Sequence, residues 1–176
     1  MYQGIHSEII NRCRLGDRKA QRELFELYAR PMLNVAVRIV DNREEAEDIL
    51  QESFLEMFKN INGFRAESSF GSWFKRIVIN RSLNQLRKKK TLVYDYEFED
   101  EADVEQGNET WPDLSVSDIE QALEKLPDGY KVVFKLFMFD NLSHQEIAEF
   151  LGISESTSKS QFFKARKKLR SQLLTN

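Results

Sequence analysis

Residues 142–166 read LSHQEIAEFLGISESTSKSQFFKAR, two helical patterns that meet at one glycine. The first runs from about Ser143 to Leu151 and opens with a capping-box pairing, Ser143 followed three residues later by Glu146. Ile147, Ala148 and Leu151 recur at helical spacing and read as its inward face. Gly152 can take the positive φ of a tight turn, Ile153 can plug the angle, and Ser154 can cap the next helix. That second helix offers Ser156, Thr157, Lys159, Ser160, Gln161, Lys164 and Arg166, and no acid follows Glu155. Short polar side chains near its start, with cations around and behind them, suit a helix that enters a DNA major groove. The stretch therefore reads as a helix-turn-helix. Ser158 departs from the pattern, because such motifs bury a branched apolar residue there, and packing is expected to suffer.

Outward from this stretch, charge divides the chain. The formal net charge is −3. Residues 1–90 hold 17 Lys/Arg against 12 Asp/Glu, residues 91–124 hold none against 12, and residues 125–176 hold 9 against 5. Two basic blocks flanking an acidic segment suggest two modules with a polyanion partner and an acidic joint. The periodicity fails from Thr91 to Pro112, where acids alternate with Tyr94, Tyr96 and Phe98, so a flexible tether is expected. Ser117-Asp118-Ile119-Glu120 forms another capping box, after which IEQALEKL and VVFKLFMF supply two helices before the opening stretch.

The N-terminal half also reads as helical. Its seven glycines and three prolines, counted over the whole chain, leave little turn chemistry. Gly16-Asp17 punctuates a first apolar stripe, and Pro31 is expected in the first turn of the next helix. Asp41-Asn42 are cap candidates for DNREEAEDILQESFLEMFKNI, with Glu44 and Glu45 at the positive end of the helix dipole. One face is apolar from Ala46 to Ile61; the other carries Asp48, Gln51, Glu52, Leu55 and Lys59. FGSWFKRIVINRSLNQLRKKK forms a fourth helix with no acid from Ser68 through Tyr94. Aromatics among cations suit single-stranded nucleic acid, whose bases stack and whose phosphates need neutralising. The loop NGFRAESS before it could receive a base swung out of the duplex. Phe70 and Phe74 are expected in the core. The fold class is therefore all-α: two small helical domains, 1–92 and 117–176, joined by an acidic linker at 93–116.

EEAEDILQESFLEMF, FRAESSFGSWFKRIVINRSLNQLR and ALEKLPDGYKVVFKLFMFDNLSHQEIAEFLGISESTSKSQFFKARKKLR together resemble the regions of extracytoplasmic-function sigma factors. These small bacterial proteins direct RNA polymerase to promoters. The resemblance covers nearly the whole chain except the linker. It implies that Asp48, Gln51, Glu52 and Leu55 face the coiled coil of the largest polymerase subunit, with the polymerase flap as a further contact. It implies minus-ten contacts by Phe64, Arg65, Trp73, Asn80 and Arg81, and a flipped base received at 63–69. For the minus-thirty-five element it implies contacts from Ser156, Thr157, Lys159, Ser160 and Gln161, with Lys164 and Arg166 clamping the backbone. An anti-sigma partner is also implied.

Other classes fit poorly. His6 and His144 stand far apart, Cys13 is alone, and no glycine-rich phosphate loop occurs, so no catalytic residue, metal or cofactor is expected. No apolar run approaches the roughly 20 residues that span a bilayer. A cytoplasmic protein is expected.

Overall fold

The computed structural model describes residues 2–89 and 116–174, which divide into two units at Lys89–Lys90. The expected linker therefore lies outside the described residues, apart from Val116. So do the side chains of Ser117 and Glu120, and with them the capping box proposed for that position.

The first unit holds α1 (Tyr2–Arg14), α2 (Arg18–Val40), α3 (Arg43–Asn60), a 3₁₀ turn (Ile61–Gly63) and α4 (Phe70–Lys88). Side-chain caps fix three helix starts. Asp17 accepts from the amides of Lys19 and Ala20 at 2.8 and 3.2 Å, Asn42 from Glu45 at 3.0 Å, and Ser69 from Ser72 at 3.1 Å. Each cap satisfies an amide that the helix itself leaves without a partner. α2 packs on α1, α3 and α4, and α3 packs on α4. Leu24, Met57, Phe74, Val78, Ile79 and Leu83 are fully buried between them. A Cβ on Gly71 would come within 3.1 Å of the Tyr28 ring, so the glycine lets that ring lie against the start of α4.

Pro31 does not begin a helix. α2 runs through it, and the break falls only at Gly16–Asp17. Proline removes one backbone donor, which orphans the carbonyl of Leu27 four residues earlier. Pro31 is exposed and so is Leu27, so that carbonyl lies on the solvent side, where water can replace the lost donor.

The second unit holds α5 (Val116–Glu124), α6 (Asp128–Met138), α7 (His144–Leu151) and α8 (Glu155–Leu174). α8 packs against the other three. At 20 residues it is longer than α1 or α4. Its core joins Ala122, Leu123 and Leu126 around α5, Phe134 on α6, and Ala165 and Leu169 on α8. α6 buries Lys131, whose ammonium pairs with Glu124 at 3.0 Å. A charge in such surroundings needs that partner.

Candidate nucleic-acid interface

In the second unit the turn between α7 and α8 is built as the sequence predicts. Ser143 and Glu146 close a reciprocal capping box: the Glu146 carboxylate accepts from the Ser143 amide at 2.9 Å, and Ser143 Oγ accepts from the Glu146 amide at 3.2 Å. Gly152 takes the left-handed conformation at φ 71°, and its amide and that of Ile153 both donate to the Ala148 carbonyl. Ser154 Oγ accepts from the Thr157 amide at 3.0 Å and starts α8. Ser156, Lys159 and Ser160 are exposed on the first turns, with Thr157, Lys164 and Arg166 half-buried. Lys159 pairs with Glu155 at 2.7 Å.

One residue of α8 faces elsewhere than expected. Gln161 is only 5% exposed and its Oε1 has no hydrogen-bond partner, so it is not presented to a groove. It lies on the buried stripe Ser158, Gln161, Ala165 and Leu169, the helical spacing that faces the core. Ser158 is fully buried, and its hydroxyl bonds His144 Nδ1 at 2.9 Å. That ring stacks on Phe137 with centroids 4.5 Å apart and meets Phe162 edge-on at 5.6 Å. A polar bond across the motif thus occupies the position where an apolar side chain was expected. Burial holds the His144 pKa below its ordinary value; Lys159 adds to this and Glu155 opposes it. Sequence reasoning weighed His144 only as a catalyst. Its signal is the Ser158 departure itself, which leaves a buried hydroxyl in need of a partner.

In the first unit α3 turns Asp48, Gln51, Glu52 and Leu55 outward, all four exposed, and Leu55 is 72% exposed. A cleft of about 600 Å³ separates this acidic side from α4, with Asp48, Glu52 and Glu56 facing Asn80, Arg81 and Lys88. Arg81 bridges it: Nε donates to Glu56 at 2.6 Å, and a terminal nitrogen donates to Glu52. Lys89 similarly pairs with Glu45. Two residues assigned to different partners, Glu52 and Arg81, therefore bind each other in the free chain. Asn80 is exposed beside them.

The loop after the 3₁₀ turn leaves the core at Phe64. That ring, expected against DNA, is only 8% exposed and meets Phe70 edge-on at 5.3 Å. It anchors the loop because an aromatic leaving the turn at this point finds the α4 aromatics before it finds solvent. Trp73 is half-buried, 5.4 Å from Phe64 and 5.5 Å from Phe70, so part of its ring stays open. Arg65 and the rest of the loop to Ser69 are exposed.

Among the described residues no group of three or more His, Cys, Asp or Glu is arranged to hold a metal, and no helix is long and apolar enough to cross a membrane. Cys13 is buried, and burial pushes its thiol up to about 11, away from the reactive thiolate.

Residues 24–91 match the family profile of Sigma-70 region 2, and residues 117–169 that of Sigma-70, region 4. The chain is 32% identical to the ECF RNA polymerase sigma factor SigW of Bacillus subtilis, over 93% of this chain and 94% of that protein. It is 28% identical to the RNA polymerase sigma-H factor of Pseudomonas aeruginosa, over 90% and 89%. Its fold is similar to that of the sigma factor RpoE solved with the anti-sigma factor NepR from Bartonella quintana, with TM-score 0.60 and 19% identity over 88% of this chain and 97% of that one. It is also similar to CnrH solved with the cytosolic domain of CnrY, with TM-score 0.58 and 18% identity over 96% of each.

Proposed function

The chain belongs to the extracytoplasmic-function family of RNA polymerase sigma factors, and from that premise we propose how its surfaces divide the work of initiation. As a member of this family it directs RNA polymerase to promoters and starts transcription, and it is not an enzyme. Residues 1–92 bind core polymerase and the minus-ten element, 93–116 tether, and 117–176 bind the minus-thirty-five element.

The observation that carries the polymerase assignment is Leu55. A leucine 72% exposed sits among Asp48, Gln51 and Glu52 on a helix whose other side is core. It suits a docking face that joins one apolar anchor to a charged rim. The coiled coil of the largest subunit is the proposed partner there. On α4, exposed Asn80 and the open part of Trp73 are proposed to meet the unpaired minus-ten strand, with Arg65 and the 63–69 loop receiving a base. In the second unit Ser156, Lys159 and Ser160 reach the minus-thirty-five groove and Lys164 and Arg166 reach its phosphates. Gln161 is withdrawn from that set by its burial. An anti-sigma protein is proposed as a further partner, since RpoE, a solved chain of similar fold, was captured with the anti-sigma factor NepR. The work of initiation supports a cytoplasmic location.

Run-off transcription by core polymerase with and without this chain tests the proposal directly. Product should appear only when both are present. In parallel, Asp48→Lys with Glu52→Lys should abolish co-purification with core while helicity is kept; intact co-purification would remove this face from the polymerase contact. Asn80→Ala should slow open-complex formation on duplex promoter, and a pre-melted bubble should restore only part of it.

A further inference from the structure

The 63–69 loop has no core of its own. From Arg65 to Ser69 every residue is exposed, and the backbone turns through the left-handed region at Ala66, φ 59°. A chain segment without buried side chains is held only where its ends are tied. At its far end the tie is Ser69, whose Oγ caps α4 at Ser72. At its near end the ring of Phe64 sits in the core, but a buried ring does not by itself fix the direction in which the backbone departs.

That direction is fixed from another helix. Arg14, in the last turn of α1, donates through one terminal nitrogen to the Phe64 carbonyl at 2.6 Å and through Nε to the Ile61 carbonyl at 3.4 Å. Its other terminal nitrogen donates to Asn11 Oδ1 at 3.2 Å, which orients the guanidinium. The two carbonyls bracket the 3₁₀ turn from which the loop springs, and the Phe64 amide already donates to Ile61. A planar fork with donors in fixed directions can hold two carbonyls at once; an ammonium cannot hold both in the same geometry. α1 precedes every segment to which promoter reading was assigned, and Arg14 entered no set of candidate residues.

The geometry points to Arg14 as a positioning residue for base selection: from α1 it sets the exit of the 63–69 loop, and so the shape of the pocket that receives the unpaired minus-ten base. This rests on the reading of that loop as the receiver of the base. Arg14 touches no DNA in this scheme and acts through the loop backbone.

The experiment uses the full chain with core polymerase on promoters whose minus-ten region is pre-melted, with each non-template base varied in turn. Arg14→Met keeps the aliphatic stem and removes the donors. It should lower discrimination at one base position by about tenfold, the low end of what a pocket contact contributes to selection. Discrimination at the other positions and co-purification with core should stay as in the parent. Arg14→Lys keeps the charge on a single donor nitrogen and should recover only part of the loss, which separates aim from electrostatic attraction. A third variant, with residues 65–68 replaced by Gly-Ser-Gly-Ser, should lose selection at the same position. If the loop variant matters and Arg14→Met selects like the parent, the role of Arg14 is overturned alone. If the loop variant itself selects normally, the reading of the loop falls and the Arg14 proposal with it. Equal loss at every position in Arg14→Met, together with lost core binding, makes Arg14 a fold residue and overturns the proposal as well.

Discussion

Ser158 and His144 join the two helices of the DNA-binding motif through one hydrogen bond inside an aromatic clasp. Neutral imidazole accepts or donates there; a protonated ring would have to give up the acceptor role beside Lys159. The sign of the pH effect follows. The folded state holds the histidine below its ordinary value of 6.5, so on acidification the unfolded chain takes up the proton first. Stability should be complete above that value, fall as pH drops from it towards the depressed folded value, and level off below. Thermal unfolding of the second unit between about pH 7.5 and pH 5.5 should show the loss, and His144→Gln should flatten it. Gln161 gives a second test at this scale. Its buried, unpartnered carbonyl costs stability, so Gln161→Met should stabilise the chain by about 1 kcal/mol in denaturant titration. The preferred minus-thirty-five sequence should not change.

Helices show where the sequence was legible and where it was not. The caps at Asn42, Ser143 and Ser154 announced their helices, because a side-chain oxygen at a helix start is a local signal. The outward face of α3 was legible because its buried stripe is apolar at every position but Ser53. α8 hid its core-facing side. Two of the four residues on that stripe are polar, so a search for apolar periodicity finds nothing before Phe162 and assigns Gln161 to solvent. Phe64 was misread in a related way, since an aromatic in a polar loop carries no local mark of the rings it will meet. The Arg14 contacts span 47 and 50 residues and leave no trace in any window. Pro31 was misread because the cost of proline depends on whether the orphaned carbonyl meets water, which is a tertiary matter. α2 still bears part of that cost. Pro31→Ala should raise stability by about 1–3 kcal/mol, read as a higher melting temperature of the first unit.

Across the whole molecule, charge organises behaviour that no single helix explains. Residues 91–124 carry 12 acids and no Lys or Arg, and the blocks on either side are basic. In the free chain this acidic segment should compete with DNA for the cations of α4 and α8. Removing residues 95–109 should therefore raise non-specific DNA affinity in gel-shift assays, most clearly at low salt. Equal binding with and without them would reduce the segment to a tether. Lys164→Ala should weaken binding to all sequences alike and flatten the log–log salt slope by about 0.9, one phosphate contact. The bridge from Arg81 to Glu52 and Glu56 carries a last consequence. On the proposed assignments, polymerase takes Glu52 and the promoter strand takes Arg81, so each must loosen the same bridge. Whichever arrives first spares the other that work. Free-energy coupling of this kind is reciprocal: the factor by which polymerase tightens the grip on an open strand equals the factor by which the strand tightens the grip on polymerase. The factor would then be held most firmly while the bubble is open, and reannealing behind the departing enzyme would itself be the signal for release.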